Sequence, residues 1–213
     1  MEKEYTYYAF ISYNSRDEKW ARKIQYQLQH YRLPTLARQE IGRDVRIRPV
    51  FRYVTNLGLG DLHENIGKEL ESSKYLIVIC SPNSAQPNIE GKHWVNDEVS
   101  RFIALGRKDR VIPVIVDGTP NAGGERECFP PVLRGADIAG VDITVGSKKE
   151  RRHAFLKIVA KLLGLKPDVL TQYVEEEDRA IRRRGLWRLL PIFVVVVKPD
   201  SMARGVASPV SFP

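Results

Sequence analysis

Six consecutive residues, YLIVIC at 75–80, constrain the fold of this chain more than any other stretch. A strand with one wet face alternates apolar and polar side chains. A strand with no charged position for six residues needs cover on both faces, as in a parallel sheet flanked by helices. Neighbouring segments repeat the requirement. TYYAFISY at 6–13 reads as a buried first strand and VIPVIV at 111–116 as a fourth. VRIRPVF at 45–51 reads as a second strand, with Pro49 marking an edge or a bulge. A short fifth strand is expected around 139–143.

Helical patterns fill the intervals. Ser15 and Glu18 have capping-box spacing ahead of a helix from about Arg16 to Tyr31, with Trp20, Ile24 and Leu28 on one face and Pro34 at its end. A second helix is expected from about Leu62 to Ser72 and a third from about Trp94 to Gly106. A fourth is expected from Arg151 to Leu163, closed by Gly164 in a left-handed cap. Five alternations of strand and helix predict an α/β, doubly wound parallel sheet of about five strands. Ligands bind such sheets beyond the carboxyl ends of the strands. Segments 14–15, 53–61, 81–93 and 117–134 are therefore expected to line the functional edge.

The 213 residues suit one domain of about 165 residues followed by a tail. The expected organisation is a main domain over 1–165, a charged helical linker over 166–184, a short apolar segment over 185–197 and a disordered tail over 198–213. The net charge of +8 does not point to nucleic acid, because nearly all of the excess follows residue 146 and no zinc-finger or RNA-binding motif accompanies it. A basic stretch beside an apolar run suits a membrane edge. The run at 185–197 is shorter than the ~20 residues that span a bilayer. It reads equally as an interfacial anchor or as a helix docked on protein. Two cysteines, Cys80 and Cys128, and a polar N-terminus without a secretory signal favour a reducing cytoplasm.

The segment KHWVNDEVSRF at 92–102 carries the candidate chemistry. Val95, Val99 and Phe102 have the spacing of a core-facing stripe. Trp94 and Glu98 stand one turn apart on a single face beside it. The bland alternative has Trp94 as a core-edge aromatic and Glu98 paired with Arg101. Other chemistries fail on their motifs. NLGLGD at 56–61 lacks the Gly-Lys-Ser/Thr of a P-loop, and His63 stands where a dinucleotide fingerprint has its third glycine. The four histidines are scattered and form no metal constellation. No GxSxG elbow is present. What remains is a lone carboxylate, Glu98, near Ser12, Tyr13 and Asn14 of the first-strand loop. One carboxylate suffices to cleave an N-glycosidic bond to a cationic leaving group. That group departs neutral, so no general acid is needed, and positive charge gathers on the sugar instead.

These motifs resemble one family. FISYNSRDEKWA at 10–21 resembles the first box of Toll/interleukin-1 receptor (TIR) domains. Residues 50–84 resemble the second box, its loop and the third strand. HWVNDEV at 93–99 looks like the Trp-x-x-x-Glu motif, and GRKDRVIPVIVDG resembles the strand after it. The likeness runs from residue 5 to about 165, in order. It implies a flavodoxin-like fold and an NAD+ glycohydrolase of the bacterial type, which releases nicotinamide and leaves ADP-ribose or a cyclic isomer. NAD+ is then the substrate, and no cofactor or metal is implied. Glu98 falls at the catalytic glutamate and Trp94 at the tryptophan before it. Ser12, Tyr13 and Asn14 fall where the first-box loop lines the nucleotide pocket. Gly58, Gly60 and Asp61 fall in the loop that closes over it. The family also implies self-association or pairing with other TIR domains, with a role in signalling or bacterial immunity. Two positions depart from it: Ala9 stands where many relatives have Asp, and Tyr53 where Phe-Arg-Asp is common. A non-catalytic TIR adaptor shares every fold-level feature. A nucleoside deoxyribosyltransferase is a weaker alternative, opposed by the Phe-Ile-Ser-Tyr opening.

Overall fold

A computed structural model describes residues 4–42, 45–53, 62–87 and 91–189, with side chains at 62–65 and 184–189 excepted. Gly58, Gly60 and Asp61 lie outside the described residues, as does most of the apolar segment 185–197 and all of the tail.

Five parallel strands form one sheet in the order β2-β1-β3-β4-β5. They are β1 (Tyr7–Ser12), β2 (Val50–Arg52), β3 (Ser73–Cys80), β4 (Val111–Ile115) and β5 (Val141–Asp142). The helices are α1 (Glu18–Gln29), α2 (Thr35–Ile41), α3 (Leu62–Glu71), α4 (Pro82–Ala85), α5 (Trp94–Ala104), α6 (Lys148–Leu163) and α7 (Pro167–Leu189). This is the doubly wound arrangement expected. The chain leaves β1 for β2 on one side and returns to β3 on the other, so the topological switch lies between β1 and β3.

Alternation along the strands feeds two cores. Ala9, Ile11, Ile77, Ile79, Ile112 and Val114 face Ile24 and Leu28 of α1, Leu156 and Val159 of α6, and Leu170 and Val174 of α7. Phe10, Leu76, Val78, Cys80, Val111 and Ile115 face Leu70 of α3 and Val95, Val99 and Phe102 of α5. The continuous apolar run at 75–80 thus supplies both layers, which is why it carries no charge. Each buried Ile, Leu or Phe contributes about 1.5–3 kcal/mol.

Several local expectations are corrected. Ser15 and Glu18 form no capping box. Residues Ser15–Asp17 make a 3-10 turn capped by Asn14, whose side chain accepts from the Arg16 N–H, and α1 starts only at Glu18. Glu18 instead turns to Arg52, 3.3 Å away. Pro34 does not close α1. It precedes α2, a helix the periodicity did not reveal because its seven residues bury only Ala37. The second strand is three residues long, not seven. Pro49 has no N–H for a ladder, and pairing begins at Val50 on the sheet edge. The polar connection after β3 contains α4, held by a capping box between Ser81 and Ser84. The last strand is Val141–Asp142, shorter than the span expected. The stripe on α5 and the left-handed Gly164 (φ 70°) behind α6 are as expected.

No helix among the described residues is long and apolar enough to cross a membrane.

Candidate active site

The carboxyl end of β1 sets the first part of the site. Ser12 follows Phe10 by two residues, so its side chain leaves the sheet on the α5 face. There its hydroxyl donates to Glu98 Oε2 at 2.5 Å, joining two residues 86 positions apart in the chain. Ser12 is buried, while Glu98 is half-buried, keeping some solvent access although protein surrounds its carboxyl. Desolvation raises the Glu98 pKa from 4.5 to about 7. The Ser12 hydrogen bond pulls the other way, and the neighbouring Asp97 adds to the rise. Arg101 does not neutralise Glu98. Its guanidinium bonds Glu71 Oε1 at 2.6 Å, packed over Gly67 of α3. The bland pairing of Glu98 with Arg101 is therefore not formed.

Trp94, one turn before Glu98, opens α5 and is 37% exposed. The Lys92 ammonium lies 5.0 Å from the centroid of its ring. An exposed indole next to a half-buried acid offers a flat surface for a ring to stack on.

Tyr13 and Asn14 reach protein partners. The Tyr13 hydroxyl donates to the Tyr53 carbonyl and accepts from Arg52 NH1 at 3.1 Å. Burial pushes its phenol pKa up, with Arg52 acting against the rise. Arg52 NH1 also lies 3.3 Å from Glu18 Oε1, and its Nε donates to Gln25 at 3.1 Å. The Asn14 amide donates to the Asn83 carbonyl at 3.0 Å. Ser12, Tyr13 and Asn14 are thus brought to one sheet edge with Glu98 and Trp94, and each has a protein partner there.

Sequence reasoning missed several polar residues at this edge. Asp17 is buried, accepting from Ser81 Oγ at 2.5 Å and from Asn83 Nδ2 at 3.0 Å. The signal for Ser81 was present: a serine just before Pro82, three residues ahead of Ser84, is a helix-start pattern. Asp17 and Arg52 had no comparable signal. Glu127, also missed, accepts backbone N–H bonds from Asn121, Gly123 and Phe129 and organises the loop after β4. Two buried polar atoms beside the site, Tyr53 OH and His93 Nδ1, have no protein partner.

Competing chemistry is weak. Cys80 and Cys128 are free and buried, and desolvation raises both thiols, Cys128 to about 11, so neither offers a thiolate near neutral pH. Among the described residues no group of His, Cys, Asp and Glu could hold a metal ion.

The TIR domain family matches residues 9–159, a span that includes most of β1, the switch point, Glu98 and most of α6. This chain is a TIR domain protein. Over 139 residues it is 32% identical to the NAD(+) hydrolase ApTIR of Actinoplanes sp.. That match covers 61% of this chain and 18% of the relative, so the TIR protein corresponds to less than a fifth of the curated relative. The TIR domains of the activated Roq1 resistosome directly recognizing the pathogen effector XopQ align over 72% of this chain and 98% of theirs. The identity there is 18% and the TM-score 0.45.

Proposed function

We propose that this TIR protein is an NAD+ glycohydrolase, breaking the bond between the nicotinamide nitrogen and the ribose C1′. The observation that carries the reading is Glu98. Its carboxyl is half-buried, held by Ser12 at 2.5 Å, left unpaired by Arg101 and set one turn from the exposed Trp94. A non-catalytic adaptor does not require a desolvated acid beside an exposed indole. The name of the 32% identical relative points the same way.

As the C1′–N bond of NAD+ breaks, its electron pair goes to the nicotinamide nitrogen, which leaves neutral. The ribose gathers positive charge. An ionised Glu98 beside it stabilises that charge, and the low local dielectric strengthens the interaction. Water adding to C1′ gives ADP-ribose and a proton. A free ring nitrogen of the adenine in the same molecule, attacking C1′ in place of water, gives a cyclic isomer and likewise releases a proton. Trp94, exposed at the start of α5, supplies a face for the nicotinamide or adenine ring. Self-association of the protein belongs to the same reading, with one copy completing the site of another.

The test is nicotinamide release from NAD+ by purified protein over a range of protein concentrations. Glu98→Gln should lower kcat by at least about a hundredfold with KM changed little. If copies complete one another, specific activity climbs with protein concentration. Equal rates for wild type and variant would overturn the reading.

A further inference from the structure

The switch point between β1 and β3 is where a doubly wound sheet opens a crevice. Two loops wall it, one following β1 and one following β3. A buried carboxylate joins them. Asp17, 6% exposed, ends the 3-10 turn after β1. Its Oδ2 takes the hydroxyl hydrogen of Ser81, 64 residues away, at 2.5 Å, and its Oδ1 takes an amide hydrogen of Asn83 at 3.0 Å. The loop after β1 answers in the other direction. Asn14 donates its side-chain amide to the Asn83 carbonyl at 3.0 Å, while the Asp17 backbone N–H returns to the Asn14 carbonyl at 2.8 Å. Asn14, Asp17 and Asn83 therefore close a ring of hydrogen bonds between the two loops.

The clasp is built on a second device. The Ser81 hydroxyl that donates to Asp17 also accepts from the backbone N–H of Asn83 at 3.1 Å and of Ser84 at 3.4 Å, capping α4. One oxygen thus starts α4 and anchors it to the other loop. Charge-assisted bonds of this kind are short and stronger than neutral ones. The Asp17 carboxylate bonds neither Glu98 nor Ser12 and has no place in the bond-breaking step.

We propose that Asp17 is a positioning residue that sets the separation of the loops after β1 and β3 and thereby the affinity of the crevice for its nucleotide. The nucleotide half of this statement rests on the function proposed above, while the loop coupling stands apart from it. Asp17→Asn keeps the side-chain size, removes the charge and turns an amide N–H toward a group that itself donates. It should raise KM for NAD+ about tenfold, leave kcat within about twofold and leave the acid limb of the pH profile in place. Combining it with Ser81→Ala should raise KM by less than the product of the two single effects, because both remove the Asp17–Ser81 bond. Asn83→Ala, at a half-buried position, gives a milder variant if Asp17→Asn does not fold. It should raise KM in the same direction.

Amide hydrogen exchange on the full chain, without nucleotide, provides the independent readout. Asp17→Asn should speed exchange at 81–86, and Asn83→Ala should speed it at 14–17, with strand amides of β3 and β4 unchanged. Reciprocal loosening with no NAD+ turnover in wild type would keep the clasp and sink the glycohydrolase. Unchanged KM, or exchange that rises across the whole domain, would overturn the clasp.

Discussion

Glu98 is defined by one hydrogen bond and by what does not reach it. Desolvation alone would hold its carboxyl protonated at neutral pH, where it could not stabilise a cationic sugar. The Ser12 hydroxyl at 2.5 Å favours the ionised form and leaves the pKa at about 7. In the proposed reaction the active species is the carboxylate, so kcat should rise with pH through about 7 and flatten above it. Ser12→Ala removes the bond that lowers the pKa. Its acid limb should move to higher pH, by about one unit, with rates recovering in alkaline buffer. A limb that stays in place would mean that another group titrates. Glu98 was legible in the sequence as a position, through the Trp94 spacing and the core stripe. Its partner was not. Ser12 and Arg101 were both candidates on sequence, and only the direction in which β1 delivers Ser12 decides between them.

At the scale of elements, the site depends on how loops are tied down. Long loops with glycines carry few apolar contacts, so hydrogen bonds to single side chains order them. Glu127 does this after β4, accepting N–H bonds from Phe129 at 2.8 Å, Asn121 at 3.1 Å and Gly123 at 3.2 Å. Burial works against its charge, yet these bonds and Arg134 hold its carboxyl below the usual 4.5. Asn96 of α5 joins the same loop to the helix that carries Glu98, accepting from the Val132 N–H at 2.8 Å. Glu127→Gln should lower stability by about 1–3 kcal/mol at neutral pH, measured as a fall in denaturation midpoint. The folded carboxyl titrates below its unfolded value. Its advantage is therefore complete above 4.5 and fades as the pH falls through the depressed folded value, so the two proteins should converge in acid. A gap that persists in acid would assign the effect to packing. Glu127 sits in a stretch whose sequence reads only as a Gly/Pro loop, and no periodicity identifies which acid folds inward.

At the scale of the whole molecule, the first turns of α7 belong to the core of the domain. Its opening turns were expected to be a charged helix outside a domain ending at 165. The helix is present, and Leu170 and Val174 are buried in the same core as β1, β3 and α6. Leu170→Ala should cost about 2–4 kcal/mol, read by chemical denaturation, because the cavity opens in a fully buried position. A change below about 0.5 kcal/mol would mean that this part of α7 adds nothing to the fold. Leu170 was hard to read because an acidic and basic run dominates its surroundings and two apolar residues make a weak stripe.

The sequence by itself determined the doubly wound sheet, the helix bearing Trp94 and Glu98 and the edge on which they lie. Those follow from period and from unbroken apolar runs, which are local properties of the chain. Only the tertiary structure decided that Ser12 holds Glu98, that Arg101 turns to Glu71, and that Asp17 joins two loops through Ser81 and Asn83. The reason is physical. Hydrogen-bond partners 30 to 86 residues apart are chosen by strand register, side-chain direction and burial together, and no periodicity in the sequence records that choice.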